Sequence, residues 1–290
     1  MLSIVYITRN RKRELRKSIL SCEAHVSIKR EYVIIDNGSE DNTAEMINEL
    51  IASGINIRYF LQDNNRGVSG GRNIGLKEAK GEICYFIDDD ATIVSEGLCL
   101  DKAYEYLMTH SDVAALGNDC YDTERQCKLL GCKDRKYGSN MIRNYVGCSH
   151  FVKKSIVENT LLYPDNLMYG AEELYAGFLF YFLKKTIVQY DEVSILHKPS
   201  KSTRTSMSER KRNGYINTYV IKKYFLPRRY RIASYILFLI RIFLFEKGNI
   251  KLILQDFDIV RKRYDIQYAH QMEINQVKKM INMFGIEKIL

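Results

Sequence analysis

Apolar positions along the first 117 residues follow two alternating rhythms. LSIVYIT (2–8), EYVIID (31–36), INIRYFL (55–61), EICYFI (82–87) and VAALG (113–117) are short, nearly continuous apolar runs that predict buried strands. Between them, RKRELRKSILSC (11–22) places Leu15, Ile19 and Leu20 at helical spacing. AEMINELIAS (44–53), GRNIGLKEAKG (71–81) and LCLDKAYEYLMT (98–109) also read as helices, the first preceded by capping residues 39–43 and the second stopped by Gly81. Strands that alternate with helices predict an α/β fold with a mainly parallel sheet covered on both faces. Right-handed crossovers then give a doubly wound open sheet.

Beyond residue 120 the rhythm weakens. Residues 121–145 are polar and turn-rich, GCSHFV (147–152) reads as a strand and KKSIVENTLL as a short helix. EELYAGFLFYFLKK (172–185) predicts a strong helix, and TIVQYDEVSILH (186–197) one or two strands ending in His197. KPSKSTRTSMSER (198–210) has the composition of a mobile loop, and three or four basic, aromatic-rich helices are expected from about residue 208. The expected organisation is a catalytic unit over 1–200 and a basic helical extension over 201–290.

Charge sharpens that division. Residues 1–200 hold 25 Lys/Arg and 28 Asp/Glu, while residues 201–290 hold 19 and 7, a net of +12. A basic region on a near-neutral body suggests an anionic partner, membrane surface or nucleic acid, although Lys and Arg also simply solvate helices. RIASYILFLIRIFLF (231–245) is interrupted by Arg241 and falls short of the ~20 residues that span a bilayer. Flanked by Arg228, Arg229, Arg231 and Lys247, it reads equally as an interfacial helix or as a buried one. The N-terminus does not read as a signal peptide, because its charges follow its short apolar run. The seven cysteines form no C-x-x-C pair; Cys120, Cys127, Cys132 and Cys148 cluster loosely, at no familiar zinc spacing. Reduced thiols and a cytoplasmic location are expected, with peripheral attachment to the cytoplasmic face of a membrane as the variant that the basic region suggests.

Ligands of open α/β sheets bind beyond the carboxyl ends of the strands. Here those ends carry Thr8-Arg9-Asn10, Asp36-Asn37-Gly38, Asp63-Asn64-Asn65 and Asp88-Asp89-Asp90. Three adjacent carboxylates repel one another unless a cation is present. Oxygen-only donors favour a hard ion, Mg²⁺ or Mn²⁺, whose shell is usually completed by water and phosphate oxygens. Strand alternation puts Asp88 and Asp90 on one side and Asp89 on the other, so Asp89 should tolerate substitution better. The plainer alternative is a solvated loop or cap. RGVSGGRNIG (66–75) reads as a loop whose glycines admit phosphate, with Arg66 and Arg72 to pair with it.

YVIIDNGSEDNT followed by NNRGVSGGRNIGLKEAKGEICYFIDDDA resembles the family 2 nucleotide-sugar-dependent glycosyltransferases of GT-A fold, over roughly residues 1–200 and best over 31–91. The resemblance implies a donor-binding set of Thr8, Asp36, Asn37, Arg72, Asp88 and Asp89. Thr8 and Asp36 would hold the nucleobase, and Arg72 would sit by the base or diphosphate. Asp90, Asp88 and His197 would hold Mn²⁺ or Mg²⁺. It also implies an acidic pair ahead of a helix, matched by MYGAEELYAGFLF (168–180), where Glu172-Glu173 stands for the more usual Glu-Asp. Glu173, or else Glu172, would be the general base. The structural alternative is a pair of carboxylates favoured by the helix dipole. The implied reaction is direct, inverting transfer of a sugar from a nucleotide-diphosphate donor to a glycan or lipid-linked glycan acceptor, in cell-surface polysaccharide or glycolipid synthesis.

Two other classes share features with the chain. FIDDDATIV (86–94) fits the D-x-D-x-T pattern of haloacid-dehalogenase-type phosphatases, with Asp88 as nucleophile and Asp90 as acid/base. That motif closes the first strand of its domain, whereas here three strand–helix steps precede it. GYINTYVIKKYFLPRRYR (214–231) interleaves aromatic and basic residues as single-strand nucleic-acid surfaces do, but no nucleic-acid-binding signature accompanies it.

Overall fold

A computed structural model describes residues 1–129, 140–167, 170–199 and 206–290. Cys132, the first two residues of the 168–180 motif and residues 200–205 of the expected 198–210 loop lie outside the described residues, while the end of that expected loop, from Met207, is helical. The first half follows the predicted alternation: β1 (Leu2–Thr8), α1 (Lys12–Glu23), β2 (Arg30–Asp36), α2 (Thr43–Ala52), β3 (Ile57–Leu61), α3 (Gly67–Glu78), β4 (Ile83–Ile87), β5 (Ala91–Ile93) and α4 (Cys99–Thr109). Then come β6 (Val113–Asp122), β7 (Cys127–Leu129), β8 (Ser149–Lys153), α5 (Lys154–Val157), α6 (Glu172–Phe182) and β9 (Thr186–His197). The C-terminal helices are α7 (Met207–Phe225), α8 (Arg228–Phe245), α9 (Ile250–Arg263), α10 (Ile274–Phe284) and α11 (Ile286–Ile289), more than the three or four expected. The short strands β5 and β7 were not predicted; three residues are too few to show a period.

The described strands form one sheet in the order β3-β2-β1-β4-β8-β6-β9-β5, with β7 on the far part of β6. The β3-β2-β1-β4 half is parallel throughout. Beyond it, β8 is antiparallel to both β4 and β6, while β6 and β9 run parallel with two irregularities in register. The sheet is therefore mixed, with a doubly wound parallel half. Its β1, β2 and β4 strands bury nearly every residue, because helices cover both faces.

The glycine-rich segment departs from the expected loop. Helix α3 already begins at Gly67, so Gly71 and Gly75 lie four apart on one helical face. A Cβ at Gly71 would come 2.8 Å from Ile7, and one at Gly75 2.3 Å from Val5 Cγ1. These glycines let α3 lie close on β1 rather than exposing backbone to a ligand. Gly75→Ala is therefore expected to lower the melting temperature. The gain in helix propensity, about 1 kcal/mol, is outweighed by overpacking of typically ~1–3 kcal/mol against a β-branched side chain that cannot swing away. Thermal unfolding of the variant checks the sign.

One buried cluster continues from Val5 and Phe86 through Tyr175 and Phe178 of α6 to Phe225, Phe238 and Val277 of the C-terminal helices. The aromatic residues of 214–231 belong largely to this packing. Tyr224 and Phe225 are buried, Phe225 lies 5.5 Å from Phe178, and Tyr219 stacks on Phe238 at 4.6 Å. They are not a free stacking surface for bases. Helix α8 is buried along one side only. Ser234, Phe238 and Ile242 are buried along one narrow face, while Ile232, Tyr235, Ile236, Ile240, Phe243 and Leu244 are exposed on the other. None of the described helices is long and apolar enough to cross a membrane.

Candidate active site

Strand ends, not sequence proximity, assemble the site. β1 delivers Thr8, β2 Asp36 and Asn37, β4 the three aspartates, and β9 His197, while Glu172 and Glu173 open α6. Asp88 is the most open of the aspartates, its side chain 38% exposed; Asp89 and Asp90 are buried. His197 Nε2 lies 3.2 Å from Asp90 Oδ1 and 3.8 Å from Asp88 Oδ2. Asp89 turns the other way, accepting from Thr8 Oγ1 at 2.7 Å and from Arg11 Nη1 at 2.8 Å. The same guanidinium nitrogen of Arg11 reaches Asp90 Oδ2 at 2.6 Å.

This arrangement sets the charge states. Burial pushes Asp89 up, against the pull of Arg11, to about 7. Asp90 is held below the usual carboxylate range, because contacts with His197 and Arg11 outweigh its burial. Burial alone would lower His197, but its contact with Asp90 and the charges of Asp88 and Asp90 lift it to about 9. Arg11, Arg72 and His197 thus stand against the aspartates as their charge partners.

The same groups have the donor chemistry of a cation site. Ligand atoms of Asp88, Asp90 and His197 all lie within 4.8 Å of one another. Asp90 Oδ1 and His197 Nδ1 are buried and make no hydrogen bond of good geometry among the described residues. Two carboxylates and one imidazole suit Mn²⁺ at least as well as Mg²⁺. Asp122 Oδ2, 3.4 Å from His197 Nδ1, stands behind the ring as carboxylates commonly do behind metal-binding histidines.

Arg72 is buried at the centre. Its Nη2 donates to Gly147 O at 2.8 Å and lies 3.5 Å from Asp88 Oδ1. Its Nη1 lies 3.3 Å from Glu173 Oε1 and 3.7 Å from Glu172 Oε1. One guanidinium therefore joins the aspartate cluster to the acidic pair. Burial, then the charge of Glu172, raises Glu173 to about 7 against the pull of Arg72. Gly170 and Ala171 both adopt positive φ (106° and 74°), which turns the chain sharply into α6 and presents the pair. Asn217 of α7 donates to Gly170 O at 2.6 Å and ties that turn to the C-terminal helices.

The residues expected to hold a nucleobase are closed in. Asp36 is fully buried, with Oδ1 accepting from Ser39 N and Oδ2 from the Tyr59 hydroxyl at 2.6 Å. Asn37 donates to Gly67 O and accepts from Arg66 N, which binds β2 to the start of α3. Thr8 is engaged by Asp89. Sequence reading missed Arg11, Asp122 and Gly147. A Cβ at Gly147 would come 1.9 Å from Glu173 Oε1, so glycine is what leaves room for the carboxylate. Arg11 stood in a basic run that reads as solvated helix, and no local signal marks the other two.

Residues 3–130 match the model of Glycosyl transferase family 2. An uncharacterized glycosyltransferase of Haemophilus influenzae is 32% identical over 132 residues, 45% of this chain and 52% of that protein. The GalNAc(5)-diNAcBac-PP-undecaprenol beta-1,3-glucosyltransferase of Campylobacter jejuni is 35% identical over 107 residues, 36% of this chain and 35% of that one. The chain thus spans about half the length of the first of these relatives, and less of the second. Among solved structures, S. aureus TarS 1–349 in complex with UDP-GlcNAc superposes with a TM-score of 0.62 at 16% identity, covering 92% of this chain and 82% of that one. The mannosyltransferase PcManGT of Pyrobaculum calidifontis, in complex with GDP-Man and Mn²⁺, gives 0.60 at 15% identity over 77% and 63%. Both are similar in fold. Over residues 3–130 the chain carries a domain of glycosyl transferase family 2, built on the GT-A fold.

Proposed function

We propose that the protein is a metal-dependent, inverting glycosyltransferase that moves a sugar from a nucleotide-diphosphate donor to an acceptor hydroxyl. The observation that carries the reading is Arg72, which places the Asp88/Asp90/His197 cluster and the Glu172/Glu173 pair on either side of one cation. In this reading Asp88, Asp90 and His197 hold Mn²⁺ or Mg²⁺, which when bound offsets charge on the departing diphosphate. Arg72 adds a buried positive charge at the same place. Glu173, raised toward neutrality, accepts the proton of the acceptor hydroxyl. One base, with no nucleophile assigned among the described residues, fits single displacement with inversion, by the logic that separates inverting from retaining sugar hydrolysis. Thr8, Asp36, Asn37 and Asp89 act in the donor site as positioning residues, since each is already held by protein partners.

The test is a panel of nucleotide sugars screened for thermal stabilisation with and without Mn²⁺. A metal-dependent rise with at least one member is expected; no response from any member overturns the reading. Phosphate release from simple monoesters, lost in Asp88→Asn, would favour the phosphatase instead.

The acceptor class we infer is a lipid-linked glycan, met at an anionic membrane surface on the cytoplasmic side. What supports this is the outer face of α8. Between Arg229 and Lys247 its exposed residues are Ile232, Tyr235, Ile236, Ile240, Phe243 and Leu244, with no charge among them. Exposed Arg228, Arg229, Lys247 and Lys251 frame that stripe. A helix with an apolar stripe and a basic rim lies in the plane of an anionic bilayer. Sedimentation with anionic vesicles is expected to fall at least about tenfold in an Ile236→Asp/Ile240→Asp variant of unchanged melting temperature, with little binding to neutral vesicles. Equal binding by both proteins would remove the membrane from the reading, and salt-sensitive binding to oligonucleotides would replace it.

A further inference from the structure

Three neighbouring strands bring a second set of donors to the same rim. In the order β8-β6-β9, Cys148 directly precedes β8, Cys120 lies in β6 and His197 ends β9. Cys148 O also accepts from Asp88 N at 2.9 Å, so the set adjoins the aspartates. All three residues are buried, and their ligand atoms lie within 4.8 Å of one another. The two sulfurs are 2.8 Å apart. In sequence the cysteines stand 28 apart, which conceals them from any reading based on local metal-binding spacing. Cys127, grouped with them by sequence, is exposed and takes no part.

We propose that Cys120, Cys148 and His197 form a thiophilic metal site, suited to Zn²⁺ and similar soft divalent ions, that shares His197 with the Asp88/Asp90 site. The separation of 2.8 Å falls between the ~2.05 Å of a disulfide and the roughly 3.7 Å expected for two thiolates at ~2.3 Å from one tetrahedral zinc ion. The imidazole decides between them: a disulfide gains nothing from a third donor, whereas two thiolates and one imidazole are a known zinc-ligand combination with a fourth position open. Small χ1 rotations open the sulfurs to the ion, two thiol protons pass to solvent, and the two thiolate charges balance the cation. Two carboxylates with one imidazole favour harder ions, and two thiolates with the same imidazole favour softer ones. Occupation of the thiolate set therefore removes His197 from Asp88 and Asp90. The site itself stands apart from the transferase reading; only the consequence, inhibition by soft ions that Mn²⁺ relieves, rests on it.

Cobalt(II) reports thiolate ligation directly, without any activity measurement. Co²⁺ added to the reduced, metal-free protein is expected to give a near-ultraviolet thiolate-to-cobalt charge-transfer band at one ion per chain, which Zn²⁺ abolishes by displacement. Cys120→Ser and Cys148→Ser should each weaken Co²⁺ binding at least about 100-fold and remove the band, while Asp90→Ala keeps it. Circular dichroism of each variant separates loss of the site from loss of the fold, and the wild-type band stands without either variant. Absence of the band from the reduced wild-type protein overturns the proposal. So does a band that survives both folded cysteine variants. If thiol counting finds the pair oxidised as purified, and reduction yields no cobalt band, the pair is a disulfide and the proposal fails.

Discussion

Asp90→Ala is expected to abolish metal-dependent transfer, lowering kcat/KM by at least about 10²–10³-fold, the scale set by removing one preorganised electrostatic group from an active site. The reason lies in how Asp90 is held. Its Oδ1 faces His197 Nε2 at 3.2 Å and its Oδ2 meets Arg11 at 2.6 Å, so the side chain is fixed before any ion arrives. Mn²⁺ binding, read by calorimetry, should weaken in parallel, and the stabilisation by nucleotide sugar plus Mn²⁺ should vanish. Full metal-dependent transfer by Asp90→Ala would remove the Asp88/Asp90/His197 site from the mechanism. Asp89→Ala is the informative contrast. Strand alternation predicts that Asp89 faces away from Asp88 and Asp90 and tolerates substitution; in the structure it meets Thr8 and the same Arg11 nitrogen that reaches Asp90. Burial changes that second expectation. Removing Asp89 leaves the Thr8 hydroxyl without its carboxylate acceptor and takes from Arg11 Nη1 one of its two carboxylates, a cost of roughly 1–3 kcal/mol. The variant should melt earlier while keeping its dependence on Mn²⁺.

Glu173→Gln is expected to lower kcat by about 10²–10⁴-fold, the range for loss of a general base, with donor affinity changed only a few-fold. The wild-type pH profile provides a separate check. In the proposed role Glu173 acts only as the carboxylate, and burial with the adjacent Glu172 raises its pKa to about 7. The rate should therefore climb as pH rises through about 7 and level off above it. Glu172→Gln removes the neighbouring negative charge that helps to raise Glu173. Its acidic limb should move to lower pH with kcat largely kept, which distinguishes the two glutamates. A flat profile, or a larger loss in Glu172→Gln than in Glu173→Gln, would reverse their roles.

Much of this site is legible in the sequence because strand ends are legible. Apolar runs that stop at Thr8, Asp36 and Asp88 mark where β1, β2 and β4 reach the rim, and the helix over 172–182 fixes where the acidic pair stands. What escaped depends on contacts between distant segments. Arg11 meets Asp89 and Asp90 across 78 and 79 residues, and Arg72 reaches Gly147 across 75. Periodicity carries no information about such pairs. The glycines of α3 illustrate a different difficulty. Their composition suits a phosphate loop, while their spacing of four suits a helix laid against a strand, and packing on Val5 and Ile7 decides for the helix. The exposed face of α8 was ambiguous because an apolar helix with basic flanks fits either a core or a bilayer; only its buried neighbours show that one face is already used.

Arg72 has a consequence for timing. It is a single guanidinium shared between Asp88 on one side and Glu173 on the other. Whatever draws it toward the aspartates loosens it from the glutamate, and a carboxylate relieved of a cation is the stronger base. Arrival of an anionic group beside Asp88 would thus ready Glu173 for an incoming hydroxyl, whereas a hydroxyl arriving first meets a glutamate still held by its counter-ion. Under the proposed function, the shared guanidinium predicts ordered binding, with the phosphate-bearing partner entering before the one that receives the sugar.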